Sequence, residues 1–311
     1  MNRQSVIIST STKSCMKALK ISSIGLILLL MIMMLVARGQ ANSMVTHPLG
    51  QRLVPNKTPA DLGITYEDVT VRTLDDFLLE GWLVPTRNGA MIIMQHGYKY
   101  HRGGFIDEIA MLARAGYGVL VTTVRAHENN PGEQITFGVK EMMDIHAWVQ
   151  FALALPNVDS ARLGMIGDSM GGSMVIQYAA SNETIRAVVA HSAFSSLEDT
   201  IATSVRHYTG LPAFPFAPMI QFWAEMKLGI DASAVDAKRW IGDISPRPIL
   251  IINSLDDEVI SPESGKLLFD AAGEPKELWE EKGVAHADFD AEYPEEYEDR
   301  VVSFFNRHLI P

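Results

Sequence analysis

From about residue 66 onward, short apolar runs alternate with longer stretches of helical periodicity. The runs at 66–72, 78–84, 90–95, 118–124, 163–166, 187–190, 249–252 and 277–280 predict eight strands. Apolar positions three and four apart predict helices over 106–115, 139–154, 170–180, 263–271 and 297–308. Strands separated by helices predict an α/β domain with a mainly parallel, doubly wound sheet covered on both faces. The first two runs differ. They alternate apolar and polar residues, carry Gly81 and Trp82, and predict an antiparallel hairpin at one sheet edge.

Two stretches depart from this rhythm. Residues 21–37 (ISSIGLILLLMIMMLVA) hold no charge and show no polar face; Arg3, Lys13, Lys17 and Lys20 precede them and Arg38 follows. This length is near the lower limit of roughly 17–25 residues for a spanning helix and long for the apolar part of a secretion signal. The segment reads as an uncleaved signal-anchor within a leader of residues 1–38, with a cleaved signal peptide as the alternative. The basic flank puts the N-terminus in the cytoplasm and everything after Gly39 outside it, either anchored or, after cleavage, secreted. Residues 39–60, polar and carrying Pro48, Pro55 and Pro59, read as a tether to a folded domain at 61–311. The second departure is the stretch of about 197–245, between the sixth and seventh strands. Its apolar, proline-broken centre, with Phe214, Phe216, Phe222 and Trp223, predicts a small cap that gives a substrate pocket an apolar wall.

Composition is that of an ordinary globular protein, 47% hydrophobic and 20% charged over 311 residues. Charge is uneven. Five basic residues and no acid lie in 1–38, so the 21 basic residues that remain, against 37 acids, leave the body at −16. Such a body lacks the basic surface that neutralises phosphates, and nucleic acid is not an expected partner. The one cysteine, Cys15, sits in the leader, so the outer portion must be held by its core rather than by intramolecular disulfides.

The candidate chemistry centres on Ser169 in the run G-M-I-G-D-S-M-G-G, between a strand and a helix. A serine on such a turn takes a strained backbone that only small neighbours tolerate, and Gly167 and Gly171 supply the room. The turn exposes Oγ and puts the Met170 N–H at a helix N-terminus, where it can hold a developing oxyanion. A serine nucleophile also needs a base and a carboxylate to orient that base. ILIINSLDDEVISP sets Asp256 and Asp257 directly after a buried strand, and ELWEEKGVAHADF sets His286 in the loop after the last one. Each leaves the carboxyl end of a strand, where sites of open α/β sheets form. Asp257 is the preferred acid because Glu258 to Pro262 match the turn that follows such an acid, while Asp256 caps or solvates that turn. His191 reads as a satisfied histidine near the pocket floor. His96-Gly97-Tyr98, at the end of the third strand, brings backbone N–H groups beside the nucleophile. The Tyr98 N–H is then the second oxyanion donor, and His96 has a structural role.

Together, His96-Gly97-Tyr98, Gly167-Asp168-Ser169-Met170-Gly171-Gly172, Asp257 with Pro262, and His286 resemble the alpha/beta-hydrolase superfamily. The resemblance runs from about Glu67 to His308. It is nearest to the branch that includes bacterial esterases, serine-aminopeptidase-like hydrolases and membrane-anchored members. It implies an alpha/beta-hydrolase fold and hydrolysis of an ester, thioester or amide through an acyl-enzyme, with no metal and no organic cofactor. There are departures. VRAHENNPGE (124–133) stands where relatives carry an R-G-H-G-type loop; Val124 and Ala126 replace two of its positions, Arg125 and His127 remain, and the loop's conformation is left open. Ser261 replaces a proline often found before Pro262.

The expected activity is that of a carboxylesterase-like serine hydrolase acting on a small-molecule ester or acyl substrate, held at a membrane by its N-terminal helix. Alternatives are a peptidase or acyltransferase on the same scaffold, or a non-catalytic binding module. A binding module has no need of a strained, glycine-flanked serine. A peptidase would be expected to offer a charged anchor near the cap, where Glu225, Asp231 and Asp236 are the available acids and read as surface.

Overall fold

The structure, a computed structural model, describes residues 3–311, with side chains described at Met16 and from Lys20 onward. The leader side chains of Arg3, Lys13, Cys15 and Lys17 lie outside the described ones. All eight expected strands form: β1 (Glu67–Arg72), β2 (Leu78–Val84), β3 (Met91–Gln95), β4 (Gly118–Thr122), β5 (Leu163–Asp168), β6 (Ile185–His191), β7 (Ile249–Ser254) and β8 (Lys276–Glu281). They make one sheet in the order β1-β2-β4-β3-β5-β6-β7-β8. β1 and β2 are the antiparallel edge hairpin, β2 also runs antiparallel to β4, and the other pairings are parallel. Both faces of the central strands are covered, so both carry apolar side chains. In β3, Met91 and Ile93 join one core layer and Ile92 and Met94 the other.

The helices are α1 (Arg3–Val45), α2 (Ile106–Arg114), α3 (Glu141–Leu153), α4 (Met170–Ser181), α5 (Leu197–Thr209), α6 (Ala213–Leu228), α7 (Ala237–Trp240), α8 (Ser264–Ala271), α9 (Phe289–Glu292) and α10 (Pro294–Leu309). α2 and α10 cover one face of the sheet, and α3, α4 and α8 the other. α10 shows why such segments are helical. Proline opens it, Glu295 and Glu296 sit in the first turn, and Arg307 and His308 sit in the last. Its Tyr297, Val301, Phe304 and Phe305, spaced at one helical face, are all buried. α4 lies very close to the sheet. A Cβ on Gly171 would stand 2.0 Å from the Gln95 carbonyl oxygen, so only glycine allows this approach.

Residues 39–60 differ from the expected tether. α1 runs without a break to Val45, and Ala37, Ala41 and Val45, four apart on one face, are buried where the helix packs on α6. Beyond it, His47 is buried with its Nδ1–H donating to Ala126 O at 2.8 Å. The Arg52 guanidinium donates to the carbonyls of His47 (2.7 Å), Asn130 (2.5 Å) and Gly132. His47 and Arg52 thus reach main-chain carbonyls of the loop at 126–132.

The cap region holds α5, α6 and α7. Gly210, with φ +69, ends α5 in the left-handed conformation that glycine adopts freely. The aromatic residues of α6 do not form the expected pocket wall. Phe216 and Trp223 turn toward the core, Arg38 of α1 lies 5.4 Å over the Trp223 ring, and Phe214 is 83% exposed. The docking of α1 has taken up that face.

Candidate active site

The turn after β5 holds Ser169 at φ 56°, ψ −118°, a region that side chains with a Cβ rarely occupy. It is held there by its own N–H, which donates to His191 O at 2.8 Å. A Cβ on Gly167 would lie 2.4 Å from Gly171 O, which explains the flanking glycines. His286 arrives on the loop after β8. Its Nε2 is 2.8 Å from Ser169 Oγ and its Nδ1 is 2.6 Å from Asp257 Oδ2. The Asp257 carboxylate is buried, and its Oδ1 accepts the N–H groups of Val259 (2.8 Å) and Ile260 (3.0 Å). Asp256 turns elsewhere, its Oδ2 accepting the Gly283 N–H at 2.7 Å and so capping the loop that carries His286. The structure thus brings together Ser169, His286 and Asp257 and leaves Asp256 outside.

The His96-Gly97-Tyr98 backbone passes directly beside the serine. A Cβ on Gly97 would come within 3.2 Å of Ser169 Cβ. Neither the Tyr98 nor the Met170 N–H has a hydrogen-bond partner among the described residues. This loop is held from behind by the divergent segment after β4. The Lys99 N–H donates to His127 Nε2 at 3.0 Å, and His127 Nδ1–H donates to Arg125 O at 2.9 Å. Arg125 in turn pairs with Asp144 (2.6 Å) and Asp75 (2.7 Å). Burial, and then the neighbouring His96, hold the His127 imidazole well below its usual pKa, which keeps Nε2 free to accept. His96 lies 4.7 Å from the His127 ring and donates from Nδ1 to Gly97 O at 2.8 Å; burial pushes its pKa down to about 4. Sequence reasoning gave His127 no role. Its retention in an otherwise altered loop was the available signal.

Two cavities meet at Ser169. One is apolar and is walled by Met44, Tyr98, Phe194, Ile201, Tyr208 and Ile260. The cap contributes to it through α5 rather than α6, and Met44 comes from the end of α1. The other is polar and is lined by Tyr100, Glu108, Asp168, His286, Asp288 and Asp290. His191 is only half satisfied, a correction to the expectation above: Nδ1 meets Asp168 Oδ1 at 3.2 Å, but the buried Nε2 has no partner. Glu225, Asp231 and Asp236 accept local backbone N–H groups, those of Ala232, Ser233 and Arg239, and so shape turns.

The chain is similar to the esterase Pf2001 of Pyrococcus furiosus, at 27% identity and a TM-score of 0.72, over 86% of this chain and 98% of that one. It is also similar to the uncharacterized protein YqkD of Bacillus subtilis, 26% identical over 200 residues, which is 63% of this chain and 64% of YqkD. It therefore spans just under two thirds of that relative's length. Polyketide transferase ATR5 of Stachybotrys chlorohalonatus is 25% identical over 79% of this chain and 98% of its own length. The sheet order, the strand-end turns and these neighbours are those of an alpha/beta hydrolase of the peptidase and esterase type. Residues 104–310, two thirds of the sequence and the stretch that carries Ser169, Asp257 and His286, match the prolyl oligopeptidase family, and the chain belongs to that family.

Proposed function

We propose that this protein is a serine hydrolase that cleaves carboxylic esters through an acyl-enzyme on Ser169. One observation carries the reading: the continuous hydrogen-bonded line from Ser169 Oγ through the His286 imidazole to the Asp257 carboxylate. His286 Nε2 takes the serine proton as Oγ attacks the carbonyl carbon. Asp257, fixed by two backbone N–H groups, orients the imidazole and stabilises it once protonated. The N–H groups of Met170 and Tyr98 receive the oxyanion, a donor of this kind being worth ~10²–10³ in turnover. His286 then protonates the departing alcohol. Water, losing its proton to His286, attacks the acyl-enzyme and restores Ser169.

Esters are favoured over peptides by the likeness to an esterase along nearly all of that protein's length. The test is labelling with a fluorophosphonate probe. Wild type should label and Ser169→Ala should not; equal labelling of the two would assign the nucleophile to another residue.

α1 is the signal-anchor in this reading, and the hydrolase domain lies outside the cytoplasm. Within α1, Lys20–Val45 is long and apolar enough to cross a membrane. The folded unit comprises 61–311 with its cap at about 197–245, and the 39–60 segment packs onto it. Cleavage near Gly39 to Ala41 would remove Ala37 and part of the face that seats against α6, which favours retention of the anchor.

A further inference from the structure

The polar cavity beside Ser169 is walled by acids from three separate elements. Glu108 comes from α2, Asp168 from the end of β5, and Asp288 and Asp290 from the segment that follows His286. No lysine or arginine is among its described lining residues. Glu108 is only 2% exposed, yet its Oε2 has no hydrogen-bond partner. Two further buried atoms near these acids also lack partners: Oη of Tyr297, which lines the neighbouring cleft with Glu108 and Asp290, and Nε2 of His191, whose Nδ1 meets Asp168. Buried polar atoms are nearly always paired, and an unpaired buried carboxylate is costly. Burial, and then the charges of Asp290 and Asp168, push the Glu108 carboxyl well above its usual range, and burial raises Asp290 as well. The fold supplies no hydrogen-bond partner for Glu108 Oε2 among the described residues. Its neighbours Ile109, Met111 and Leu112 are ordinary core residues of α2.

Building on the ester-hydrolase reading, we infer that this cavity is a leaving-group subsite for an alcohol carrying a protonated amine, whose N–H donates to Glu108. The side is set by His286, which lines this cavity and hands its proton to the departing oxygen. The opposite cavity, with Met44, Phe194 and Ile201, matches an apolar acyl chain. Tyr100 presents an aromatic ring to the cation. The substrate class is therefore an ester of an apolar acid with an amino alcohol. In the acylation step the bond from Ser169 Oγ to the acyl carbon forms and the acyl–alkoxy bond breaks. The serine proton passes through His286 to the alcohol oxygen, and the ammonium keeps its proton throughout.

The test uses two esters of one shape, 2-(dimethylamino)ethyl butyrate and 3-methylbutyl butyrate, which differ by a protonated nitrogen in place of a carbon. Both are assayed on the detergent-solubilised full chain, wild type and Glu108→Gln, with active serine titrated by fluorophosphonate. Rates are corrected for each ester's reactivity with hydroxide. A charge-assisted hydrogen bond should favour the amino ester by about tenfold in kcat/KM in wild type, and Glu108→Gln should cut that ratio by about fivefold or more. A wild-type ratio near one, or a ratio unchanged in a Glu108→Gln protein that still labels, overturns the subsite. If Glu108→Gln does not label, the same ratio in Asp290→Asn decides. If Ser169 labels but neither ester turns over, 2-(dimethylamino)ethanol should slow labelling of wild type and not of Glu108→Gln; no protection overturns the subsite. Failure of wild type to label removes the ester-hydrolase reading, and the subsite with it.

Discussion

The hydroxyl of Tyr98 donates to the main-chain carbonyl of Met44 across 2.6 Å and so ties the loop beside Ser169 to the last turn of α1. Both residues also wall the apolar cavity, and the Tyr98 ring stacks on Phe137 at 5.5 Å. The end of α1 therefore forms part of the pocket wall of the domain that follows it.

Removing that tie should be felt in stability. Tyr98→Phe keeps the ring but strands the Met44 carbonyl, at a cost of about 1 kcal/mol. Chemical denaturation of the two proteins measures it. Identical midpoints would mean that the end of α1 is not docked as described.

The two adjacent aspartates should separate sharply. Asp257→Asn leaves the geometry but loses the carboxylate that orients His286, and turnover of a short acyl ester should fall by about 10⁴. Asp256→Asn keeps an oxygen that can accept the Gly283 N–H, loses only the charge, and should reduce turnover little. The reverse ranking would move the acid to Asp256.

Gly171 is a test of packing. Any Cβ there meets the Gln95 carbonyl at 2.0 Å, so Gly171→Ala must displace α4 from β3, at a cost of about 1–3 kcal/mol or more. Gly50→Ala, with nothing within 4 Å, is the control and should unfold at the wild-type temperature.

Acid should loosen the loop beside Ser169. His96 protonates in the folded protein only near pH 4 and in the unfolded chain near 6.5, and His127 is depressed in the same direction. The unfolded state therefore binds more protons in this window, and stability falls as pH drops from 6.5 toward 4. His96 alone accounts for about 2 kcal/mol lost between pH 7 and 5. Urea midpoints for wild type and His96→Asn at both pH values check this: the variant should show the smaller difference, and equal differences would discount His96.

N-terminal sequencing of the protein recovered from membranes should find residues 21–45 present, because Ala37, Ala41 and Val45 seat α1 on α6. A mature protein that begins near Ala41 would instead be a secreted form.

Element type and order were legible in the sequence because they depend on short-range patterns. A two-residue repeat or a buried apolar run marks a strand, and three- to four-residue spacing marks a helix. The site was legible for a similar reason. Ser169, Asp257 and His286 each sit just after a recognisable strand, and parallel strands deliver their ends to one edge of the sheet. Residues 39–60 were less legible. Arg52 looks like an ordinary polar residue of a proline-bearing linker, yet besides the His47 carbonyl it binds the carbonyls of Asn130 and Gly132, 78 and 80 positions away. The same holds for α6, whose aromatic residues suit a pocket wall and a helix contact equally well.

By itself, the sequence determined the α/β pattern, the strained serine turn, the chain order of Ser169, Asp257 and His286, and an N-terminal helix apolar enough for a membrane. Only the tertiary structure decided what faces what. Glu108 stands in the first turn of α2, where an acid is favoured by the helix dipole and is commonly solvated. The fold instead turns it inward against Asp168 and Asp290 and leaves it unpaired beside Ser169. Local periodicity sets the direction of a side chain on its own element. The neighbours it meets are set by the packing of distant segments, which no local pattern encodes.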